Sequence, residues 1–145
     1  MKFDGHIGPL LGYCSTLCRM NMDKLMSEYG MTQTQTHVML YLAKGGGREI
    51  TQSDIERTFH IKASTVNGIV NRLEEKELVE RAAGKSDGRC RSIKLTKKGV
   101  EMYEVFRAGA RANERKITSG FTKEEKDALA SLLGRVVNNL GEDIK

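Results

Sequence analysis

Ser64, Thr65, Asn67, Gly68, Asn71 and Arg72 are spaced so that, wound as a helix, they lie opposite an apolar stripe of Val66, Ile69, Val70 and Leu73. No acid interrupts this face before Glu74. Short hydroxyls, amides and glycine are poor helix formers, and a merely solvated face would carry Lys and Glu instead. What such a face offers is hydrogen bonding to the edges of bases. An asparagine amide fits the N7 and N6 edge of adenine, and Ser and Thr bond either bases or phosphates. Gly68 allows a backbone to come close, and Gln52, ahead of this helix, joins the same candidate set.

A second cluster lies downstream. Lys85, Asp87, Arg89 and Arg91 fall in or beside a glycine-containing loop. Arg89 at a loop tip suits a narrow minor groove, where guanidinium groups are attracted. Asp87, two residues earlier, is placed to direct that side chain through a charge-assisted bond. Lys85 and Arg91 suit phosphates. Seven basic residues stand against one acid between Arg81 and Lys98, giving +6 in this stretch of a chain whose net charge is +5. A surface that was only solvated would mix its signs, as the stretch from Glu28 to Arg57 does.

The elements that must hold these groups are legible from periodicity. Apolar residues at Ile7, Leu10, Leu11, Cys14, Cys18, Leu25 and Tyr29 predict a long first helix, which cannot bury its whole stripe within so small a domain. Thr32 with Gln35 opens a second helix, with Val38, Met39 and Leu42 inward. Arg48–Ile50 is expected to form one short extended bridge. Thr51 with Asp54 caps a third helix with Ile55 and Phe59 inside, and a tight turn around His60–Lys62 leads to the fourth, the polar-faced one. That turn lacks the usual glycine. Two strands follow, Leu78–Ala82 and Cys90–Thr96, with Ile93 and Leu95 on one face and Ser92 and Lys94 on the other. Thr96 caps a fifth helix reaching about Thr118. Thr122 with Glu125 caps a sixth, whose stripe is Leu129, Leu132, Leu133, Val136, Val137 and Leu140. The fold class expected is mainly α, an α+β winged helix-turn-helix between long terminal helices. The expected division is a DNA-binding winged helix-turn-helix at 31–96 flanked by helical regions at 1–30 and 97–145.

Composition narrows the alternatives. The chain has 145 residues, 39% hydrophobic and 30% charged, in keeping with one globular domain and with neither a disordered nor a membrane protein. Asp4 ahead of the first apolar stretch, with no small-residue cleavage site after it, argues against an export signal. Three cysteines, Cys14, Cys18 and Cys90, fit a reducing cytoplasm better than a disulfide framework. No Ser-His-Asp, Cys-His or paired-carboxylate arrangement points to an enzyme. His6, His37 and His60 have no zinc-ligand spacing, so neither metal nor cofactor is expected.

The run Ser64-Thr65-Val66, Arg72-Leu73-Glu74, Leu78-Val79-Glu80-Arg81, Asp87-Gly88-Arg89, Leu95-Thr96 and Gly99 resembles the MarR family of bacterial transcriptional regulators. The resemblance implies an intertwined homodimer joined through its terminal helices. It further implies binding to palindromic double-stranded DNA, commonly as a repressor, and release by a small anionic or phenolic ligand. On that resemblance Arg89 is the minor-groove arginine and Asp87 its orienting acid. Ser64, Thr65, Asn67 and Gly68 occupy recognition-helix positions, and Gly68 departs from the larger polar residue often found there. His37 is the candidate effector contact. Two other readings stay open from the residues: a redox-responsive regulator using its cysteines, and a winged-helix module that binds protein. Cys14 and Cys18, one helical turn apart, fit core packing better than oxidant sensing.

Overall fold

The computed structural model describes residues 5–83 and 91–141. Its elements run α1 (Ile7–Glu28), α2 (Gln33–Lys44), β1 (Ile50–Thr51), α3 (Gln52–Phe59), α4 (Ala63–Glu75), β2 (Val79–Ala83), β3 (Arg91–Leu95), α5 (Lys97–Ile117) and α6 (Lys123–Asn139). Residues up to Arg111 form one compact unit, and those from Ala112 a second.

Helix starts follow local chemistry. Thr32 and Gln35, Thr51 and Asp54, and Thr122 and Glu125 each exchange side-chain and backbone hydrogen bonds in a capping box, satisfying donors that the first turn leaves free. Thr96 caps α5, its Oγ1 accepting from Gly99 N at 3.0 Å and donating to Glu77 O at 2.6 Å. The turn without a glycine is closed by His60, which adopts the left-handed conformation (φ 53°, ψ 41°) that glycine usually supplies at a helix end.

In the first unit the core gathers Val38, Met39 and Leu42 of α2, Ile55 of α3, Val66, Val70 and Leu73 of α4, and Ile93 of β3. Phe106 of α5 joins them, its ring meeting Tyr29 edge-on with centroids 5.9 Å apart. Only Met26 of α1 is buried, with Met22 and Leu25 packed partly against the core. Of the stripe expected for α1, Ile7, Cys14 and Tyr29 are exposed and Leu10, Leu11, Cys18 and Leu25 half-buried, while Tyr13, Leu17 and Met20, outside that stripe, are exposed large hydrophobics as well. In the second unit no residue of α6 is buried, and Leu129, Leu132, Leu133 and Leu140 are exposed.

The sheet has three strands in the order β1-β3-β2, all antiparallel. β2 and β3 make the expected hairpin, in register from Val79↔Leu95 to Ala83↔Arg91. Its strands are shifted from the expected bounds, and Cys90 lies outside the described residues. The extended bridge falls at Ile50 and Thr51 rather than Arg48–Ile50, Ile50 pairing with Ile93 and Thr51 with Ser92. This third strand makes β3 central, and one expectation for β3 is corrected. Ser92 was assigned to the polar face of a half-covered strand, yet it is 1% exposed. Its hydroxyl finds no hydrogen-bond partner among the described residues.

Candidate nucleic-acid interface

α4 is anchored by its apolar back. Val66, Val70 and Leu73 are each 0% exposed, and Ile69 packs partly against the same core. The opposite side is open: Ser64, Thr65, Asn67, Gly68, Asn71 and Arg72 are all exposed. The helix has no acid in its first turn, and its N-cap Lys62 makes no side-chain cap bond. The positive end of the helix is thus left unneutralised by its own sequence. A Cβ built on Gly68 meets nothing within 4 Å, so the fold itself does not demand a glycine there.

The structure adds a residue that periodicity did not single out. Arg81 on β2 reaches back to α4 and forms an ion pair with Glu74 through Nη1. Its Nη2 donates to Oδ1 of Asn71 at 2.9 Å and to Oδ1 of Asn67 at 3.1 Å. Asn67, Asn71 and Glu74 stand at i, i+4 and i+7, a single stripe along the helix. The Arg81 side chain is only 14% exposed. It belongs to the basic stretch in sequence, yet its charge is matched internally by Glu74. Lys98 also has a carboxylate partner, Glu77 at 3.1 Å, on an open surface where such pairs contribute little. A run of helical i, i+4, i+7 polar residues followed by an arginine in the next strand was the available signal.

Gln52 opens α3 and is half-buried, and Arg91 is exposed at the start of β3. Lys85, Asp87 and Arg89 lie outside the described residues. His37 is exposed on α2. Gly30, Thr32, Gln35, Arg72, Glu75 and Lys76 line an open cleft of about 550 Å³. Arg72 therefore borders this cleft as well as the polar face of α4. Among the described residues no three His, Cys, Asp or Glu side chains are grouped to hold a metal ion, and no helix is long and apolar enough to cross a membrane.

With this geometry in hand, known proteins place the chain. Residues 29–89, which begin just after α1 and end between β2 and β3, match the sequence model of the MarR family. The HTH-type transcriptional regulator PecS of Dickeya dadantii is 31% identical over 131 residues, which span 90% of this chain and 79% of PecS. The chain belongs to the MarR family. A second MarR-type relative, the HTH-type transcriptional repressor MdtR of Bacillus subtilis, is 29% identical over 83% of this chain and 76% of its own. Among solved structures, MepR, a transcription regulator of the Staphylococcus aureus multidrug efflux pump MepA, superposes with a TM-score of 0.83 at 24% identity, covering 93% of this chain and 98% of MepR. The S. aureus MepR–DNA complex superposes with a TM-score of 0.80 at 25% identity, covering 92% and 98%. The mainly helical fold with a small winged sheet is the fold of this MarR neighbour, and the relatives are regulators of transcription rather than enzymes.

Proposed function

We propose that this MarR-family chain acts as a homodimer that reads double-stranded DNA through the outer face of α4 and represses transcription until a small anionic or phenolic ligand releases it. The observation that carries the reading is the outward set Ser64, Thr65, Asn67, Gly68 and Asn71 on a helix whose back is anchored by the fully buried Val66, Val70 and Leu73. That arrangement suits insertion into a major groove, which is wide enough for a helix and alone presents a distinct pattern for each base pair. A relative of the same fold, MepR, has been solved on DNA, and MdtR is named a repressor.

Within this reading residues 31–96 are the DNA-binding region. Gln52, Arg72 and Arg91 extend the contact around α4. Lys85 and Arg89, with Asp87 as orienting acid, reach the backbone and minor groove beside it. Residues 1–30 and 97–145 supply the dimer interface. Its support is the exposed apolar residues of α1 and, separately, the wholly unburied α6, since contiguous apolar faces of that kind mark association surfaces. DNA as partner sets the working compartment as the cytoplasm. The effector contact stays with His37 on α2, the helix whose cap residues Thr32 and Gln35 border a cleft carrying the cations Arg72 and Lys76.

Selection of bound duplexes from a random pool at fixed salt tests the proposal. Enrichment of a palindrome with half-sites one helical turn, about 34 Å, apart is the expected result. A pool that remains random after repeated rounds contradicts it.

A further inference from the structure

We infer that Arg81 sets the hydrogen-bonding polarity of the reading face, holding Asn67 and Asn71 with their amide oxygens inward so that the helix offers N–H donors and selects guanine rather than adenine. The inference rests on the reading of α4 as the helix that meets DNA, and it goes further by naming what two of its side chains recognise.

The argument follows from what each group is able to do. A guanidinium only donates, and an amide has one donating and one accepting end. Any asparagine facing Arg81 must therefore show it oxygen. Nη2 carries two hydrogens, and its two acceptors are Oδ1 of Asn71 at 2.9 Å and Oδ1 of Asn67 at 3.1 Å. Glu74 takes Nη1 and balances the charge, so Arg81 is fixed from three points on one helical stripe. The Arg81 side chain is only 14% exposed, so the guanidinium lies against the helix while the two asparagines stay open to a partner. Both amides are then turned the same way, one helical turn apart, each with Nδ2 as its outer end.

That orientation changes the base that fits. Adenine presents N7, which accepts, and N6, which donates, so its bidentate partner needs oxygen and nitrogen both pointing outward. Guanine presents N7 and O6, two acceptors side by side. A pair of donor-only amides matches guanine and leaves the N6 donor of adenine unmet. The sequence pattern, read without Arg81, favours adenine; the guanidinium reverses the choice without touching DNA. Arg81 is thus a positioning residue.

Duplex selection with the full-length wild type, Asn67→Ala and Asn71→Ala locates the base pairs these residues read, as those whose preference the alanine variants lose. The wild type should show G·C there, favoured roughly tenfold over A·T. Substituting 7-deazaguanine for that guanine, which removes the N7 acceptor, should weaken binding about fivefold. Arg81→Lys, which keeps the charge but replaces the planar fork by a point donor, should relax that preference severalfold with the salt slope unchanged. Arg81→Met combined with Glu74→Gln should relax it further; if this double variant does not fold, Arg81→Lys decides alone. Four results overturn the inference: A·T at the mapped pairs, G·C retained in both Arg81 variants, no position altered by either alanine variant, or a salt slope reduced by one phosphate contact in Arg81→Lys. A wild type that enriches no sequence at all removes the DNA-reading function itself, whereas A·T at the mapped pairs removes only the role of Arg81.

Discussion

Gly99, in the first turn of α5, lies so close to Leu78 that a Cβ at that position would overlap the Leu78 carbonyl oxygen. That oxygen is already engaged, accepting from Thr96 N at 3.1 Å, and Leu78 itself is 1% exposed. The long fifth helix therefore meets the residue just ahead of β2 backbone to backbone. A side chain at 99 has nowhere to go, because the main chain of Leu78 blocks it and the Leu95 side chain, 3.3 Å away, closes the space beside it.

Gly99→Ala should accordingly cost about 3 kcal/mol, the upper part of the range for forcing extra volume into a packed site. Urea unfolding followed by circular dichroism measures it. A loss below about 0.5 kcal/mol, typical of a surface change, contradicts the contact.

His60 predicts a gain. Its left-handed backbone carries a Cβ penalty that glycine avoids, so His60→Gly should stabilise the protein by about 1 kcal/mol. His60→Val, β-branched at the same dihedral angles, should destabilise it. Matching thermal midpoints for all three proteins would show that the turn relaxes freely.

Asp54 predicts a dependence on pH. Its carboxyl is held below the ordinary carboxylate value first by the Thr51 N–H and then by the Thr51 hydroxyl; burial opposes them, and Arg57 adds a lesser lowering. A pKa lowered in the fold means that ionised Asp54 stabilises the native state. The contribution is fully present above the unfolded value near 3.8 and disappears as pH falls through the lowered folded value. Wild type should exceed Asp54→Asn by about 1 kcal/mol from pH 5 to 7, and the gap should close in stronger acid. A gap that stays constant down to pH 2 would contradict the assignment.

Leu132 is 55% exposed in the single chain, so Leu132→Glu should leave the folded protomer nearly as stable as before. If α6 lies in a dimer interface, the same change should raise the dimer dissociation constant at least a hundredfold by sedimentation equilibrium. An unaltered mass at micromolar concentration would remove α6 from the interface.

The parts of this fold that were legible in the sequence are those decided within four residues. The boxes at Thr32/Gln35, Thr51/Asp54 and Thr122/Glu125 were readable because cap and partner are three apart, and the buried stripe of α4 because its period is helical. Ser92 was misassigned because alternation along β3 shows which residues share a face but not whether distant parts of the chain cover both faces, and Ser92 is buried beside Ile93. Arg81 was counted only as one of a basic run, because its bonds to Asn67 and Asn71 cross from strand to helix and alternation in β2 says nothing about where a long side chain reaches. The polar face itself was visible, while the polarity of its amides was not.

The reading function of α4 is tested most directly by the ratio of affinities for the selected duplex and for a scrambled duplex, measured by fluorescence anisotropy at one salt concentration. Ser64, Thr65, Asn67 and Asn71 are exposed, so replacing all four by alanine leaves the core intact and raises helix propensity. The wild-type ratio should be about 10³ or more, and the quadruple variant should approach one while keeping its affinity for scrambled DNA. A quadruple variant that still discriminates like the wild type would show that another surface reads the sequence.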